Sequence, residues 1–146
     1  MTVELDELDR RILHELHSDG RASMSAVAAA THISRANAYT RVNRLIDAKV
    51  IRGFGARIDP VLAGLHSSAY VTLTLHQESW QDTRARLSAI PEVSHIALVG
   101  GDFDCILLVR ARDNSDLRRV VLEELQSIPG VRSTKTALIF EDFDTV

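Results

Sequence analysis

Apolar and polar residues alternate with a helical period between Ser34 and Ile46. At 3.6 residues per turn, Ala38, Val42, Leu45 and Ile46 fall on one side of a helix. The opposite side carries amide, hydroxyl and guanidinium groups. Ser34 stands where the hydroxyl of a helix N-cap accepts a backbone N–H. The pattern predicts a helix with one anchored face and one polar, cationic face.

Two further helices are predicted before this one. The first has apolar residues at helical spacing, Asp6 as its cap and Gly20 as its stop. These apolar residues are Leu5, Leu8, Ile12 and Leu16. The second is short, covers residues 25–31 and has Ser25 as its expected cap. His32-Ile33 is then the tight turn before the third helix, and the order is that of a helix-turn-helix.

The segment after these helices predicts the end of the first domain. Residues 50–58 alternate weakly and contain Gly53 and Gly55, which indicates a two-stranded wing or an extended exit strand. Asp59-Pro60 breaks that segment. We therefore assign residues 1–60 to a winged helix-turn-helix domain and residues 61–66 to a linker.

The second half reads as alternating strands and helices. Strict alternation from Ser68 to Leu75 predicts a half-buried strand. A helix over about residues 80–89, strands over 93–99 and 103–110, a helix capped by Asn114 and a strand over about 131–140 follow. The sequence around Ile90-Pro91 is echoed around Ile128-Pro129, so a β-α-β unit occurs twice. The prediction is an α+β protein with a ferredoxin-like βαββαβ domain in residues 67–146.

Charge is distributed unevenly along a chain whose net charge is -3. Residues 21–57 contain seven basic residues and one acid, whereas residues 61–146 contain eight basic and twelve acidic residues. Phosphate neutralisation drives DNA affinity, so the basic segment predicts a contact with double-stranded DNA. A solvated, arginine-bearing helix face is the alternative.

The third helix supplies the candidate DNA-binding residues. They are Ser34, Arg35, Asn37, Thr40, Arg41 and Arg44. Asparagine can pair with adenine, and arginine with guanine or phosphate. Tyr39 lies at the edge of the apolar face and is expected to pack. The acids of the first helix, Glu4, Asp6, Glu7 and Asp9, are expected to keep that helix away from phosphates.

Other classes of protein and site are disfavoured. No apolar run approaches the roughly 20 residues of a membrane span, and the acidic N-terminus has no hydrophobic signal segment. We expect a cytoplasmic protein without a membrane partner. Cys105 is the only cysteine, which excludes an intramolecular disulfide and a thiolate cluster. His14 and His17 have no third ligand nearby, so we predict no metal site and no cofactor.

An ordered set of motifs resembles the Lrp/AsnC family of transcriptional regulators. The motifs are Leu5 to Leu13, Gly20-Arg21, Ile33-Ser34, Arg41-Val42 with Leu45, Val50-Ile51, and Gly101-Asp102-Phe103-Asp104. The resemblance covers nearly the whole chain. Two positions depart from the family pattern: Ile46, where the family commonly has Glu, and Lys49, where it has a Gly after the helix. Lys49 must adopt a left-handed conformation, or the helix must end differently.

The resemblance also implies a loop that helps to bind a free amino acid between subunits. Glycine exposes backbone N–H groups that suit a carboxylate, and a nearby aspartate suits an ammonium. From the residues alone, a hairpin turn is the alternative, and Thr134 and Thr136 could equally form a plain polar edge strand. The candidate effector residues are Leu98, Val99, Gly100, Gly101, Asp102, Phe103, Asp104, Thr134 and Thr136.

The sequence therefore predicts a sequence-specific DNA-binding transcriptional regulator, not an enzyme. Its oligomeric state or DNA affinity should respond to a small amino acid effector, and the resemblance implies a homodimer that builds larger assemblies through residues 67–146. Sirohaem decarboxylases have the same two-domain architecture and are the rival interpretation. Their tetrapyrrole site would need converging histidines, for which His66, His76 and His95 are candidates, but an acidic domain suits a polycarboxylate poorly.

Overall fold

The structure, a computed structural model, describes residues 3–76 and 80–145. It divides the chain into two compact units, the first ending at Arg57 and the second beginning at Ile58. The first unit is helical and the second contains a four-stranded sheet with helices, so the predicted α+β class is confirmed. Residues 61–66, assigned to a linker, form turns and coil just before the first strand.

Three helices build the first unit around a small apolar core. They are α1 (Glu7–Ser18), α2 (Met24–Thr31) and α3 (Arg35–Asp47). The core contains Ile12 from α1, Val27 from α2, and Ala38 and Leu45 from α3, all with no exposed surface. The anchored face predicted for α3 is therefore the face that packs on the other two helices. Tyr39, expected to pack, is instead 45% exposed.

Two helix caps differ from those expected. α2 starts earlier than the pattern indicated, because the Ser23 side chain, not Ser25, accepts from the backbone N–H of Ala26 at 3.1 Å. The later helix is capped by Asp113, which accepts from the N–H of Asp116 at 2.8 Å, while Asn114 is the first helical residue. In each case a second short polar residue in the neighbourhood could have served, and the sequence did not distinguish them.

The predicted two-stranded wing is not formed. Residues 52–59 are exposed or nearly so and belong to no strand. Gly53 and Gly55 weaken strand pairing in this segment because they offer no side chain to pack. The other expectation for this stretch, an extended exit strand, is not formed either, because residues 52–59 pair with no strand of the described chain.

The second unit has the predicted ferredoxin-like topology. Its elements are β1 (Ser67–Leu75), α4 (Trp80–Ser88), β2 (Val93–Leu98), β3 (Cys105–Ala111), α5 (Asn114–Arg119), a π-helical turn (Val120–Leu125) that continues α5, and β4 (Val131–Leu138). The strand order is β2-β3-β1-β4 and all pairs are antiparallel. The first strand of each β-α-β unit, β1 or β3, thus lies at the centre of the sheet. The last strand of each unit, β2 or β4, lies at an edge.

One face of this sheet is covered by helices. Ala69, Val71 and Leu73 of β1 point into the core with no exposed surface, as the alternation predicted. Cys105 at the start of β3 is also buried, and burial raises the pKa of its thiol to about 11, with the charge of Asp104 adding to the effect. Cys105 is thus a free cysteine inside the apolar core, where it packs as a small hydrophobic residue. Gly130 opens β4 where a side chain would collide with buried Thr83.

Candidate functional site

The exposed surface of α3 differs from the face that the helical wheel selected. Arg35, Tyr39 and Asn43 lie four residues apart and form an exposed stripe, with Thr40 beside them. The guanidinium carbon of Arg35 lies 5.6 Å from the centre of the Tyr39 ring, which is cation–π distance. Neither Tyr39 nor Asn43 was among the predicted DNA-binding residues, although the four-residue spacing was visible in the sequence.

Three predicted DNA-binding residues use their side chains to shape the helix. Ser34 caps α3 by accepting from the backbone N–H of Asn37 at 3.1 Å, as expected. The hydroxyl of Thr40 donates to the carbonyl of Ala36 at 3.0 Å and the residue stays exposed. Asn37 is half-buried, and its side-chain oxygen accepts from Nε of Arg41 at 3.3 Å.

Arg41 and Arg44 form ion pairs with two carboxylates at the start of α1, those of Asp6 and Asp9. One terminal nitrogen of Arg41 lies 2.7 Å from Asp6 Oδ2 and 2.9 Å from Asp9 Oδ1. Arg44 donates a hydrogen bond from its terminal nitrogen Nη2 to Asp9 Oδ2, the second carboxylate oxygen of Asp9. The Arg41 side chain is 21% exposed and that of Arg44 is 44% exposed. Two of the four acids at the start of the chain, Asp6 and Asp9, therefore bind the cations of α3, a pairing that was not predicted from the sequence.

Asp9 is the centre of this ion-pair cluster, although it carries a charge. Its side chain is 1% exposed, and its carboxylate also accepts from the backbone N–H of Asp6 at 3.1 Å. Burial opposes ionisation, but the hydrogen bonds from Arg44, Asp6 and Arg41 outweigh it and lower the pKa of Asp9 to about 2. The backbone N–H of Asp9 and the side chain of Arg41 also hold the pKa of Asp6 below its usual value. Both carboxylates are thus ionised at neutral pH.

Lys49 does take the left-handed conformation that the sequence raised as one alternative. Its φ is 60°, and its N–H donates to the carbonyl of Ile46 at 3.0 Å. The N–H of Val50 donates to the carbonyl of Leu45 at 2.9 Å, which completes a Schellman motif at the end of α3. His32 occupies the same position after α2 with a φ of 57°. Both turns that orient α3 are therefore closed without glycine.

The predicted effector loop lies between β2 and β3. Gly100, Gly101 and Asp102 are exposed, while Asp104 is half-buried. Asp104 closes the loop, because its carbonyl accepts from the N–H of Val99 at 2.9 Å and its N–H donates to the carbonyl of Leu73 at 2.9 Å. One carboxylate oxygen of Asp104 accepts from the N–H of Leu75 at 2.7 Å, beside the register shift in β1. This aspartate is thus held by the sheet through both its backbone and its side chain.

The other predicted effector residues lie on β2, on β4 and in the loop between β2 and β3. Leu98 is 57% exposed and pairs with Cys105 next to the loop. Leu73 of β1 pairs with Cys105 of β3 on one side and with Thr134 of β4 on the other. Thr134 is therefore separated from the start of β3 by one strand, β1. Thr134 accepts from the side-chain amide of Gln126 at 3.1 Å. Thr136 lies two residues farther along and is exposed, and Phe103 and Val99 are half-buried.

Comparison with known proteins decides the family. The Lrp/AsnC ligand binding domain matches residues 68–145, and the AsnC-type helix-turn-helix domain matches residues 5–46. This chain belongs to the Lrp/AsnC family. It is therefore a transcriptional regulator with a helix-turn-helix domain, and not an enzyme.

Several members of the Lrp/AsnC family are similar over almost the whole chain. The transcriptional regulator AldR of Mycobacterium tuberculosis is 41% identical, over 95% of this chain and 79% of its own length. The proline dehydrogenase transcriptional activator of Rhodobacter capsulatus is 31% identical, over 97% and 94%. The solved leucine response regulatory protein LrpA of M. tuberculosis has a TM-score of 0.85 at 33% identity, over 97% and 96% of the two chains.

Two more solved structures share the fold at lower identity. Escherichia coli AsnC has a TM-score of 0.86 at 22% identity, covering 99% of both chains. A Neisseria meningitidis regulator in complex with L-methionine has a TM-score of 0.87 at 23% identity, covering 97% and 94%. Nothing in these comparisons supports the sirohaem-decarboxylase interpretation, since the named relatives are transcriptional regulators.

Among the residues that the structure describes, one sheet face in the second unit of this Lrp/AsnC regulator has no helix packed on it. Tyr70 pairs with Leu108, and Thr72 pairs with Ile106, on the face opposite the core. Tyr70 is 44% exposed. On the same face, Arg110 donates to Asp142 at 2.6 Å and to the Ser68 hydroxyl at 3.1 Å. An apolar centre with a charged margin is the composition of a protein interface.

The described residues form neither a metal-binding cluster nor a membrane-spanning helix. In residues 3–76 and 80–145 no three His, Cys, Asp or Glu side chains are placed to hold a metal ion. Within the same ranges, no helix combines the length and apolarity needed to cross a bilayer. His66, His76 and His95 lie on different parts of the second unit: before β1, after β1 and in β2.

Proposed function

We propose that this Lrp/AsnC regulator binds double-stranded DNA sequence-specifically through α3, works as a homodimer or larger assembly, and changes its DNA affinity or assembly when a small amino acid binds. The observation that carries the DNA part is the exposed stripe of Arg35, Tyr39 and Asn43 on the second helix of the helix-turn-helix. The N-terminal residues of such a helix face base edges in the major groove.

The proposed division of labour on α3 follows from exposure and bonding. Arg35, Thr40 and Asn43 are exposed and retain donors or acceptors for DNA, and Arg44 keeps nearly half of its side chain in solvent. We assign contacts with DNA to these residues. Ser34, Asn37 and Arg41 each use at least one side-chain polar atom in a hydrogen bond inside the domain, so we assign them to the shape of α3.

DNA binding is tested by selection of genomic fragments with the purified full-length protein, with and without added amino acids. We expect enrichment of a near-palindrome, because one helix-turn-helix covers a single half-site and a symmetric dimer presents two. Affinity for an enriched fragment should fall steeply as salt rises. Failure to enrich any motif, with the helical content intact by circular dichroism, would contradict sequence-specific binding.

We propose that subunits pair through the helix-free face of the sheet. This face carries Tyr70, which is exposed, together with Ile106 and Leu108, which are half-buried. A charge placed there should separate the subunits. We expect Tyr70→Asp to reduce the mass measured by light scattering, whereas Leu122→Asp, an equally exposed residue on the helical side, should not.

We propose the β2–β3 loop as the effector site, completed by a neighbouring subunit. Exposed Gly100 and Gly101 offer backbone N–H groups to a carboxylate, Asp102 offers a charge to an ammonium, and Leu98 offers an apolar surface to the side chain. Support comes from the match of residues 68–145 to a ligand binding domain. Aliphatic or aromatic amino acids should suit this site better than acidic ones.

The effector site is tested by calorimetry with the common amino acids and by Gly100→Val. A side chain at Gly100 meets no neighbouring atom and its φ is not in the left-handed region, whereas Gly101 has a φ of 140° and a substitution there would strain the turn. We expect Gly100→Val to abolish ligand binding and leave DNA binding unchanged. Heat of binding that is equal in wild type and Gly100→Val would place the effector elsewhere.

A further inference from the structure

The two arginines that form ion pairs with Asp9, Arg41 and Arg44, are not equivalent. Arg41 is largely buried and divides its donors among Asp6, Asp9 and Asn37. Arg44 is 44% exposed, and within residues 3–76 and 80–145 its one side-chain hydrogen bond goes from Nη2 to Asp9. A guanidinium carries five donor hydrogens on a planar fork. Arg44 therefore keeps most of its donors for a group outside the chain.

Asp9 fixes the edge of Arg44 that faces the domain. The carboxylate of Asp9 cannot rotate easily, because it is buried and accepts hydrogen bonds from the backbone N–H of Asp6 and from Arg41. A charged hydrogen bond to such an anchor removes much of the rotamer freedom of a long side chain. The free edge of Arg44 is then presented in one orientation, ten positions into α3, where a recognition helix passes beside a phosphate strand rather than over base edges.

We infer that Asp9 is a positioning residue for DNA binding: it holds Arg44 so that the free edge of its guanidinium meets a backbone phosphate. This inference rests on the proposed DNA contact of α3 and deepens it. It makes a prediction opposite to simple charge counting. An acid next to a phosphate-binding arginine repels DNA by its charge, so its neutralisation should tighten binding unless the acid is needed to orient the arginine.

The test compares Asp9→Asn with Asp6→Asn, which make the same change of charge on the same helix. Asp6 binds Arg41 and not Arg44, and asparagine retains the N-cap function of Asp6. Affinity for a mixed-sequence DNA duplex is measured by fluorescence anisotropy, at a temperature where circular dichroism reports full folding of each variant. We expect Asp9→Asn to weaken binding by about tenfold and Asp6→Asn to leave it equal or tighter.

Two variants of Arg44 keep the test decisive if Asp9→Asn destabilises the fold. Arg44→Ala should weaken binding and lower the slope of log affinity against log salt by about one unit. Arg44→Lys keeps the charge but has no planar fork, so it should also weaken binding, and Asp9→Asn in the Arg44→Ala background should cause no further loss.

The outcomes separate the two hypotheses. If Arg44→Ala leaves affinity and salt slope unchanged, the proposed contact of Arg44 with DNA fails. If Arg44→Ala weakens binding but Asp9→Asn tightens it and Arg44→Lys matches wild type, Arg44 acts only as a charge and the positioning role of Asp9 is overturned, while DNA binding by α3 stands.

Discussion

Substitution of Arg41 by alanine should destabilise the helix-turn-helix unit rather than only weaken its contact with DNA. The change removes the donors that reach Asp6 and Asp9, at 2.7 and 2.9 Å, and frees the side chain of Asn37. Removal of one partner from a fully buried ion pair costs about 3–5 kcal/mol, and loss of a charged hydrogen bond costs about 1.5–3 kcal/mol.

The expected magnitude lies in the lower part of this range. Asp9 is enclosed, but in the variant it would still accept from Arg44 and from the N–H of Asp6. The Arg41 side chain is also 21% exposed, so water replaces part of what is lost. We expect a loss of about 1–3 kcal/mol in the free energy of unfolding of the first unit.

Hydrogen exchange measured by mass spectrometry on the full-length protein reports this loss locally. Amides of α1 and α3 that exchange through opening of the first unit should exchange roughly 5–150-fold faster in Arg41→Ala, and amides of β1 and β3 should not change. Arg35→Ala is the matched control, because Arg35 lies on the same helix, is exposed and binds no carboxylate among the described residues. Equal exchange in both variants would refute the reasoning.

Three further substitutions or conditions test the structural assignments. Lys49→Gly should raise the stability of the first unit by about 0.5–1 kcal/mol in urea unfolding followed by circular dichroism, because a φ of 60° strains lysine but not glycine; a decrease would mean that the Lys49 side chain has an unrecognised role. Gly130→Ala should lower the melting temperature, because the new Cβ would collide with buried Thr83 and overpacking costs about 1–3 kcal/mol. Gly100→Ala is the control and should leave the melting temperature unchanged, because a Cβ at Gly100 meets no neighbouring atom. Acid should loosen α1 and α3: the pKa of Asp9 is lowered to about 2 from 3.8, so its contribution is present above about pH 4 and is lost as the pH falls towards 2. Hydrogen exchange of α1 in Asp9→Asn should lack this pH dependence.

The helix and strand pattern was predictable because it depends on neighbours close in sequence. The face of α3 that packs and the alternation in β1 both follow from local spacing. The left-handed Lys49 was one of two alternatives raised by the family resemblance, and the structure has that one. The caps were misassigned by one or two residues, at Ser25 and Asn114, because adjacent short polar residues compete for the same role.

The bonding of Arg41 was not predictable from a wheel drawn for α3 alone. Its position lies beside the apolar face, and its partners are 32 and 35 residues away. One signal did exist: Asp9 is three and seven residues before Ile12 and Leu16, which places this acid on the packed face of α1. A buried carboxylate is normally paired with a cation, and α3 is the helix of this domain whose arginines could supply one.

The turn between β2 and β3 was predicted from the sequence, but its hydrogen bonds were not. Gly100-Gly101 does form the turn between β2 and β3. The use of Asp104 by the backbone N–H of Leu75 depends on pairing between β1 and β3, which brings residues 29 apart into contact. The Asp104 carboxylate therefore has a partner in the sheet, and Asp102 is the more exposed of the two carboxylates.

Recognition of DNA by the exposed face of α3 is tested most directly by repeating the genomic selection with a variant. Thr40→Ala combined with Asn43→Ala removes two exposed polar side chains from that face and leaves the Asp9 cluster intact. We predict that this variant binds DNA but loses the preference for specific bases within the half-site, while Arg118→Ala in the second unit recovers the wild-type motif. Recovery of the same motif by the α3 variant would contradict recognition through this face.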